Sequence, residues 1–174
     1  MTAEELLKTQ IPDKRTELIE GVLVVREPAG YLHGRVAMSL TTRLALYLED
    51  HPIGQLLATE TGFTLARGPD TVRAPDVAYI RKDRLPPPET PGFPDLAPDL
   101  VVEVLSPDDR PREIQVKVGH WLAAGSLLVW VVDPRRATTH VYRADGTEEF
   151  VGPDGTLDGE EVLPGFTCPL KNIM

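Results

Sequence analysis

The sequence predicts a protein of the α/β class, in which apolar strands alternate with amphipathic helices. Two short runs, LVVEVL at 100–105 and SLLVWVVD at 126–133, are almost continuously apolar, which is typical of strands covered on both faces of a sheet. Between residues 31 and 49 the apolar side chains recur at four-residue intervals, which predicts one long amphipathic helix. The chain of 174 residues is long enough for one substantial core, and we predict a single domain over residues 1–174.

Local signals predict the elements that precede the long helix. Thr2 and Glu5 have the spacing of a capping box, which predicts a short first helix. Glu20 and Gly21 predict a tight turn between two short strands.

The rest of the chain also follows from local signals. Residues 55–83 read as strands, and a Gly-Pro-Asp turn at 68–70 joins the last two of them. The proline-rich segment 84–99 excludes regular structure and predicts a long loop. Residues 106–109 supply the start of a further helix, which we expect to run to about Ala124. Short strands follow the second apolar run.

Composition and charge narrow the class of protein. The net charge of −9 argues against a protein that coats nucleic acid, although an enzyme acting on nucleic acid needs only a local basic rim. Cys168 is the only cysteine, so no intrachain disulfide can form, and no apolar stretch is long enough to span a membrane. We therefore expect a cytoplasmic protein without membrane contact. The single asparagine, Asn172, and the 17 prolines are features of heat-adapted proteins, so we expect a thermophilic source.

Two acidic residues and a lysine form the candidate catalytic site. Asp76 opens the segment DVAYI, Glu103 lies inside the run LVVEVL, and Lys117 lies on the helix that follows. Two carboxylates at the ends of neighbouring strands can hold a hard divalent cation through their oxygens. A lysine beside that cation can orient a water or stabilise charge in a transition state. Phosphodiester hydrolysis requires this combination, so the residues predict nucleic acid as the first substrate class to consider.

The residues of this site also have plain structural alternatives. Glu103 could be a partly solvated residue at a strand end that pairs with Arg110 or Arg112. Lys117 could be a surface lysine that pairs with Glu113, four residues earlier. Helical periodicity places Lys117 at the border of an apolar stripe, from which it can reach over a strand end. The sequence leaves these alternatives open.

The order of the segments resembles the Uma2 family, a group of bacterial proteins in the restriction-endonuclease-like, PD-(D/E)XK superfamily. The segments that carry the resemblance span residues 15–170 and include ELIEGVLVV, APDVAYI, PDLVVEVLSP, WLAAG, LLVWVVDP and LPGF. The resemblance implies a restriction-endonuclease-like core, with a mixed central β-sheet flanked by helices. It also implies that Asp76 and Glu103 bind Mg²⁺ or Mn²⁺. A further acidic residue nearer the N-terminus, Glu17 or with slight preference Glu20, is expected to complete the ligands of the ion.

One position departs from the superfamily pattern. The superfamily usually has a lysine two residues after the strand carboxylate, where this chain has Leu105, and the resemblance implies that Lys117 takes that role. His33 matches a histidine of the family's first long helix and is a candidate substrate contact. The alternative for His33 is a hydrogen bond at the helix start. Arg110 and Arg112 are candidates for a basic rim that contacts substrate.

The leading prediction is an enzyme, a Mg²⁺-dependent endodeoxyribonuclease that hydrolyses phosphodiester bonds in DNA. The alternative is a nuclease-fold module with a weak or inactive site that binds nucleic acid or a protein partner. A third hypothesis is a metal hydrolase that acts on a small phosphorylated molecule. Cleavage of both strands of a duplex would suit a two-fold homodimer, which is a further expectation.

Overall fold

Strands make up most of the regular structure in the computed structural model, which describes residues 1–9 and 11–174. The helices are α1 (Ala3–Lys8), α2 (Tyr31–Asp50) and α3 (Pro111–Ala123), and short 3₁₀ turns cover Lys82–Arg84 and Leu170–Asn172. The strands are β1 (Arg15–Ile19), β2 (Val22–Arg26), β3 (Gly54–Leu57), β4 (Phe63–Ala66), β5 (Thr71–Arg73), β6 (Val77–Arg81), β7 (Leu100–Val104), β8 (Leu128–Asp133), β9 (Thr138–Arg143), β10 (Glu148–Val151), β11 (Thr156–Asp158) and β12 (Thr167–Pro169).

A six-stranded mixed sheet forms the centre of the molecule. Its strands lie in the order β10-β9-β8-β7-β6-β3. β7 and β8 pair in parallel, whereas the other neighbours are antiparallel. β7 is buried along its whole length, and β8 is buried except at its last residue. The prediction of an α/β fold with a mixed central sheet flanked by helices is confirmed.

The two faces of this sheet pack against different helices. On one face, α2 and the C-terminal segments share a core with Val102 and Trp130. On the other face, Val101 packs in a core that includes Trp121 of α3. Because side chains alternate along a strand, Glu103 points to the same face as Val101 and therefore towards α3.

A second sheet, in the order β2-β1-β5-β4, is antiparallel throughout. The turn at 68–70 joins β4 to β5, and the segment that follows is divided into β5 and β6, which lie in different sheets. The division falls at Ala74 and Pro75. Ala74 donates its N–H to the side-chain carboxylate of Glu17 at 3.2 Å instead of to a backbone carbonyl of a neighbouring strand, and Pro75 has no N–H to donate. Asp76 therefore lies at the corner where the chain passes from one sheet to the other.

α3 begins later than the sequence predicts. The Ser106 N–H donates to the Asp109 carboxylate at 2.7 Å, which closes a turn ahead of the helix. Pro111 then occupies the start of the helix, where its missing N–H leaves no hydrogen bond unmade. The helix ends at Ala123, and Gly125 follows with a φ of +106°, the left-handed region that favours glycine.

The long helix α2 buries the stripe that its periodicity predicts. Val36, Leu40 and Leu44 have no exposed surface and pack in the same core as β7 and β8. Leu46, by contrast, is 52% exposed. Within residues 1–9 and 11–174, no helix combines the length and the apolar character needed to cross a bilayer.

Two leucine replacements on α2 test this packing. We expect Leu40→Ala to lower the free energy of unfolding by about 2–5 kcal/mol, because it removes buried methyl groups and leaves a cavity. Leu46→Ala is the matched control and should change the free energy by less than about 0.5 kcal/mol, because that side chain is half exposed. Urea unfolding followed by circular dichroism measures both. Equal losses in the two variants would contradict the packing of α2 described above.

Candidate active site

Asp76 and Glu103 lie at the same end of two neighbouring strands. Asp76 immediately precedes β6, and its N–H donates to the carbonyl of Val102 on β7 at 3.1 Å. Glu103 is the next residue along β7, and both carboxylates line one cleft of about 430 Å³. Both side chains are almost completely buried. The structure thus brings the two predicted acidic residues together.

Two side chains of α3 hold the Glu103 carboxylate. The Lys117 ammonium donates to Oε2 at 2.7 Å, and the Trp121 indole N–H donates to Oε1 at 2.8 Å. Lys117 and Trp121 are four residues apart and therefore lie on one side of the helix. The Lys117 side chain is only 14% exposed. The lysine therefore buries its stem and reaches the end of β7, as its place at the border of the apolar stripe predicts.

The plain alternatives for these residues have other partners in the structure. Glu103 pairs with Lys117, whereas Arg110 and Arg112 are exposed at the start of α3. Glu113 lies 3.4 Å from Arg26 on β2, whereas Lys117 pairs with Glu103 and Glu17.

Glu17 on β1 is the second acidic partner of Lys117. Its Oε1 lies 3.6 Å from the ammonium and accepts the N–H of Ala74. Its Oε2 accepts a hydrogen bond from Arg73 at 3.0 Å. Arg73 is itself buried, and its Nε donates to the Nδ1 of His120 at 3.2 Å. Both oxygens of Glu17 are thus engaged, and its carboxylate lies within ion-pair distance of Lys117.

Glu20, which the sequence slightly favours over Glu17 as a third ligand, lies in the turn between β1 and β2. Its side chain is exposed and its backbone has a φ of +48°. Its N–H donates to the hydroxyl of Thr71 at 3.1 Å. Because side chains alternate along β1, Glu17 points towards the cleft and lines its wall. Glu20 lies beyond the strand, in the turn, and is not among the residues that line the cleft.

His33 on α2 contacts the Asp76 carboxylate. Its Nε2 lies 3.0 Å from Oδ2, and the same oxygen accepts the N–H of Val104 at 2.8 Å. The other oxygen, Oδ1, lies 3.4 Å from Nη2 of Arg15. Among the described residues, the buried Nδ1 of His33 has no hydrogen-bond partner. Of the four carboxylate oxygens of Asp76 and Glu103, Oδ1 of Asp76 thus has the longest polar contact. The hydrogen bond of His33 goes to Asp76 and not to the start of its own helix.

Burial and charge set the ionisation of these groups in the metal-free chain. Burial raises the pKa of Glu103 to about 7, because Lys117 only partly offsets the loss of solvent. Burial would also raise the pKa of Asp76, but the hydrogen bond and charge of His33 hold it below its ordinary value. Burial acts against ionisation of Lys117, yet the surrounding carboxylates raise its pKa. Near neutral pH, Asp76 and Lys117 are therefore charged, and Glu103 is divided between its protonated and ionised forms.

The two arginines proposed as a basic rim lie outside the cleft wall. Arg110 and Arg112 are exposed, and the residues that line the cleft at this end of α3 include Asp108, Asp109 and Glu113. The rim at this point is therefore acidic.

Several contributing residues carry no clear signal in the sequence. Arg73 reads as an ordinary strand residue, and Trp121 as part of an apolar stripe. Arg15, beside Asp76, is one of several basic residues that the sequence offers for a rim, and taken alone it reads as a surface charge. No sequence signal marks Arg73, because its burial, which is what requires a carboxylate partner, is seen only in the fold.

The fold and the cleft define the class of restriction-endonuclease-like proteins. The chain matches the model of the Uma2 family, described as "Putative restriction endonuclease", over residues 3–171, and it belongs to this family. The resemblance seen in the sequence is confirmed, and the family's description supports a nuclease in general terms.

A solved structure has the same fold. It is a protein from Anabaena variabilis ATCC 29413, described as a "putative nuclease belonging to DUF820". The two chains are 24% identical and superpose with a TM-score of 0.84, over 99% of this chain and 97% of that one. No curated protein matches the chain.

Restriction-endonuclease-like nucleases generally use divalent metal ions, and the donor set of this cleft fits one. Asp76 and Glu103 offer hard carboxylate oxygens, and Mg²⁺ is commonly bound by one or two carboxylates together with water and substrate oxygens. Two buried carboxylates that line one cleft repel each other when both are ionised, and a bound cation would relieve that repulsion. Within the part of the chain that the structure describes, no cluster of three or more His, Cys, Asp or Glu side chains is arranged for a metal. The remaining ligands would come from water, backbone or substrate.

Replacement of Glu103 by glutamine tests the raised pKa. The carboxyl titrates at about 4.5 when unfolded and at about 7 when folded. Its contribution to stability is therefore complete below about pH 4.5 and is lost as the pH rises to about 7. Over this interval we expect metal-free wild type to lose about 3 kcal/mol of unfolding free energy relative to Glu103→Gln. Urea titrations at stepped pH in chelator measure the difference, and parallel curves for the two proteins would refute the raised pKa.

Proposed function

We propose that this protein is a metal-dependent endonuclease that hydrolyses phosphodiester bonds in DNA. The observation that carries the proposal is the arrangement of three charged groups in one buried cleft. Lys117 lies 2.7 Å from Glu103 on β7, and Asp76 immediately precedes β6, which pairs with β7. Two carboxylates and one ammonium group supply the charges that metal-assisted hydrolysis of a phosphodiester needs. The family's description as a restriction endonuclease supports nucleic acid as the substrate.

Asp76 and Glu103 would hold a Mg²⁺ or Mn²⁺ ion. When bound, such an ion supplies an acidified water and a positive charge for the transition state. The lowered pKa of Asp76 keeps this ligand ionised. Glu103, with a pKa of about 7 in the metal-free chain, would release its proton as a cation binds. His33 would hold the Oδ2 of Asp76, and Oδ1, which has only the 3.4 Å contact with Arg15, would face the ion.

Lys117 would orient the attacking water or the scissile phosphate. An ammonium group has three N–H donors, and the hydrogen bond to Glu103 uses one of them. Glu17 lies 3.6 Å from the same nitrogen and limits where it can move. Arg73 holds Glu17 in turn, so the lysine is positioned before substrate arrives. A remaining N–H can donate to a substrate oxygen.

The lysine of α3 replaces the strand lysine that is usual in the superfamily. The corresponding strand residue, Leu105, is half-buried and packs against the core on the α3 face. Lys117 bonds directly to the strand carboxylate. It therefore brings an ammonium group to the same carboxylate from a different element.

The acidic wall of the cleft favours a second candidate, a nuclease-fold module that binds a partner without cleaving nucleic acid. Asp108, Asp109 and Glu113 line the cleft and would repel a phosphate backbone. A bound cation would offset part of that repulsion. The two candidates differ in whether cleavage depends on Lys117.

Cleavage assays on variants separate these roles. We expect Mg²⁺ and Mn²⁺ to support cleavage of DNA, with Ca²⁺ supporting binding but little turnover because it acidifies water less strongly. Asp76→Asn should lose both Mn²⁺ affinity, measured by titration calorimetry, and cleavage. Lys117→Ala should retain Mn²⁺ affinity and lose about 10²–10³-fold in rate, because one preorganised charge is removed.

The control for charge is Lys82→Ala, since Lys82 is exposed in the 3₁₀ turn after β6. It should cleave like wild type. Full activity in Lys117→Ala would remove the lysine from the mechanism. If wild type binds Mn²⁺ but cleaves neither DNA nor RNA, the binding module is the correct function.

A further inference from the structure

A second cavity adjoins the proposed catalytic cleft. It has a volume of about 480 Å³ and is lined by the first half of α2, the segment before it and the residues that follow β3. Arg15 and His33 line both cavities, so these side chains lie where the two cavities adjoin. The volume is within the range of about 300–1,000 Å³ that small-molecule sites occupy. We call this second cavity the α2 groove.

A glycine keeps the α2 groove open. Gly34 lies inside α2, and its N–H makes a hydrogen bond to Gly30 at 3.1 Å. Glycine inside a helix costs about 0.5–1 kcal/mol relative to alanine. Among the described residues, a Cβ at this position would meet no atom within 4 Å outside the helix backbone, so packing does not require glycine here. The absence of a side chain leaves space in the wall of the groove.

A buried polar atom in the same wall lacks a partner. The His33 side chain is only 6% exposed, and its Nε2 is occupied by Asp76. Its Nδ1 is buried and, within the described residues, has no hydrogen-bond partner. An unsatisfied buried polar group costs about 1–3 kcal/mol. A hydrogen-bonding group of a ligand in the groove would reach this nitrogen, and remove the penalty, only after the imidazole ring moves.

The charges around the α2 groove favour an uncharged occupant. Asp13 and Glu60 line it, and Lys14, which also lines it, is paired with Glu27. Arg15 is held between Glu60, at 3.7 Å, and Asp76. A phosphate in the groove would meet two carboxylates and cations that already have partners. A flat group with an apolar face and polar edges fits these walls better.

We propose that the α2 groove binds an unstacked nucleobase of single-stranded nucleic acid, on a nucleotide adjoining the scissile phosphate. The base would lie over Gly34 and Met38, beside His33, whose ring would have to move to offer its Nδ1. Arg15, which lines both cavities, would contact the linking phosphate in place of its exposed partner Glu60, 3.7 Å away. A base in a duplex is stacked and paired and reaches such a groove only after it leaves the helix. The proposal rests on the proposed function of the catalytic cleft and makes single-stranded nucleic acid the preferred substrate.

The test compares the affinities of labelled thymidylate octamers, measured by fluorescence anisotropy in Ca²⁺. We expect wild type to bind the single-stranded octamer about five- to tenfold more tightly than an abasic octamer of the same charge, at the low end of the gain from stacking on an aromatic ring, because the residues that line the groove include no Phe, Tyr or Trp. The octamer paired in a duplex should bind no better than the abasic strand. Gly34→Leu fills the groove and should bind both single strands equally weakly.

Matched variants separate filling of the groove from changes to the helix. Gly34→Ala adds a methyl group and should retain the preference for bases. Gly119→Leu makes the same change on α3, where a Cβ also meets no atom of the described chain within 4 Å, and should behave as wild type. Thermal melting confirms folding. If Gly34→Leu does not fold, Thr41→Phe blocks the groove two turns further along α2.

Each outcome decides one of the two proposals. Equal wild-type affinity for the octamer and its abasic form, or an unchanged preference in Gly34→Leu, would overturn base binding in the groove. Wild-type DNA cleavage with no preference for bases would overturn the groove proposal and leave the proposed function standing. A preference for bases that Gly34→Leu abolishes, without metal-dependent cleavage, would support the groove and overturn the nuclease.

Discussion

The buried ion pair between Lys117 and Glu103 is the interaction on which the site depends. Two opposite charges removed from water are stable only when further hydrogen bonds satisfy them. Trp121 satisfies the second oxygen of Glu103, and Glu17 lies 3.6 Å from the other side of the lysine. Arg73 fixes Glu17 in turn. Carboxylates and cations alternate through this network, and the charge of each member determines where the next can lie.

The fold explains how residues distant in sequence enter one network. Glu103 lies in the central sheet, Glu17 and Arg73 lie in the second sheet, and Lys117 is carried by the helix over the central sheet. Asp76 lies at the corner between the sheets. The same corner ends β5, the strand that holds Arg73. The break in strand pairing there therefore places both Asp76, beside Glu103, and Arg73, which holds Glu17.

The sequence predicts much of this arrangement and fails where long-range packing decides. Near-continuous apolar runs identified β7 and β8, and helical periodicity placed Lys117 at the border of its stripe. The choice between Glu17 and Glu20 depends on where β1 ends and on which of its residues line the cleft, which single-sequence patterns do not give. The contact of His33 with Asp76 joins residues 43 apart in sequence through the packing of α2. Homodimer formation and a thermophilic source stay predictions from composition and symmetry.

The central claim is that Asp76 and Glu103 bind one divalent cation beside Lys117. Crystals soaked in Mn²⁺, with anomalous data collected above and below the manganese absorption edge, test it most directly. The account predicts one strong peak within coordinating distance of both carboxylates, in contact with the less engaged Oδ1 of Asp76, and no such peak in Asp76→Asn. Manganese bound elsewhere, or a peak at the acid pair that persists in Asp76→Asn, would contradict the account.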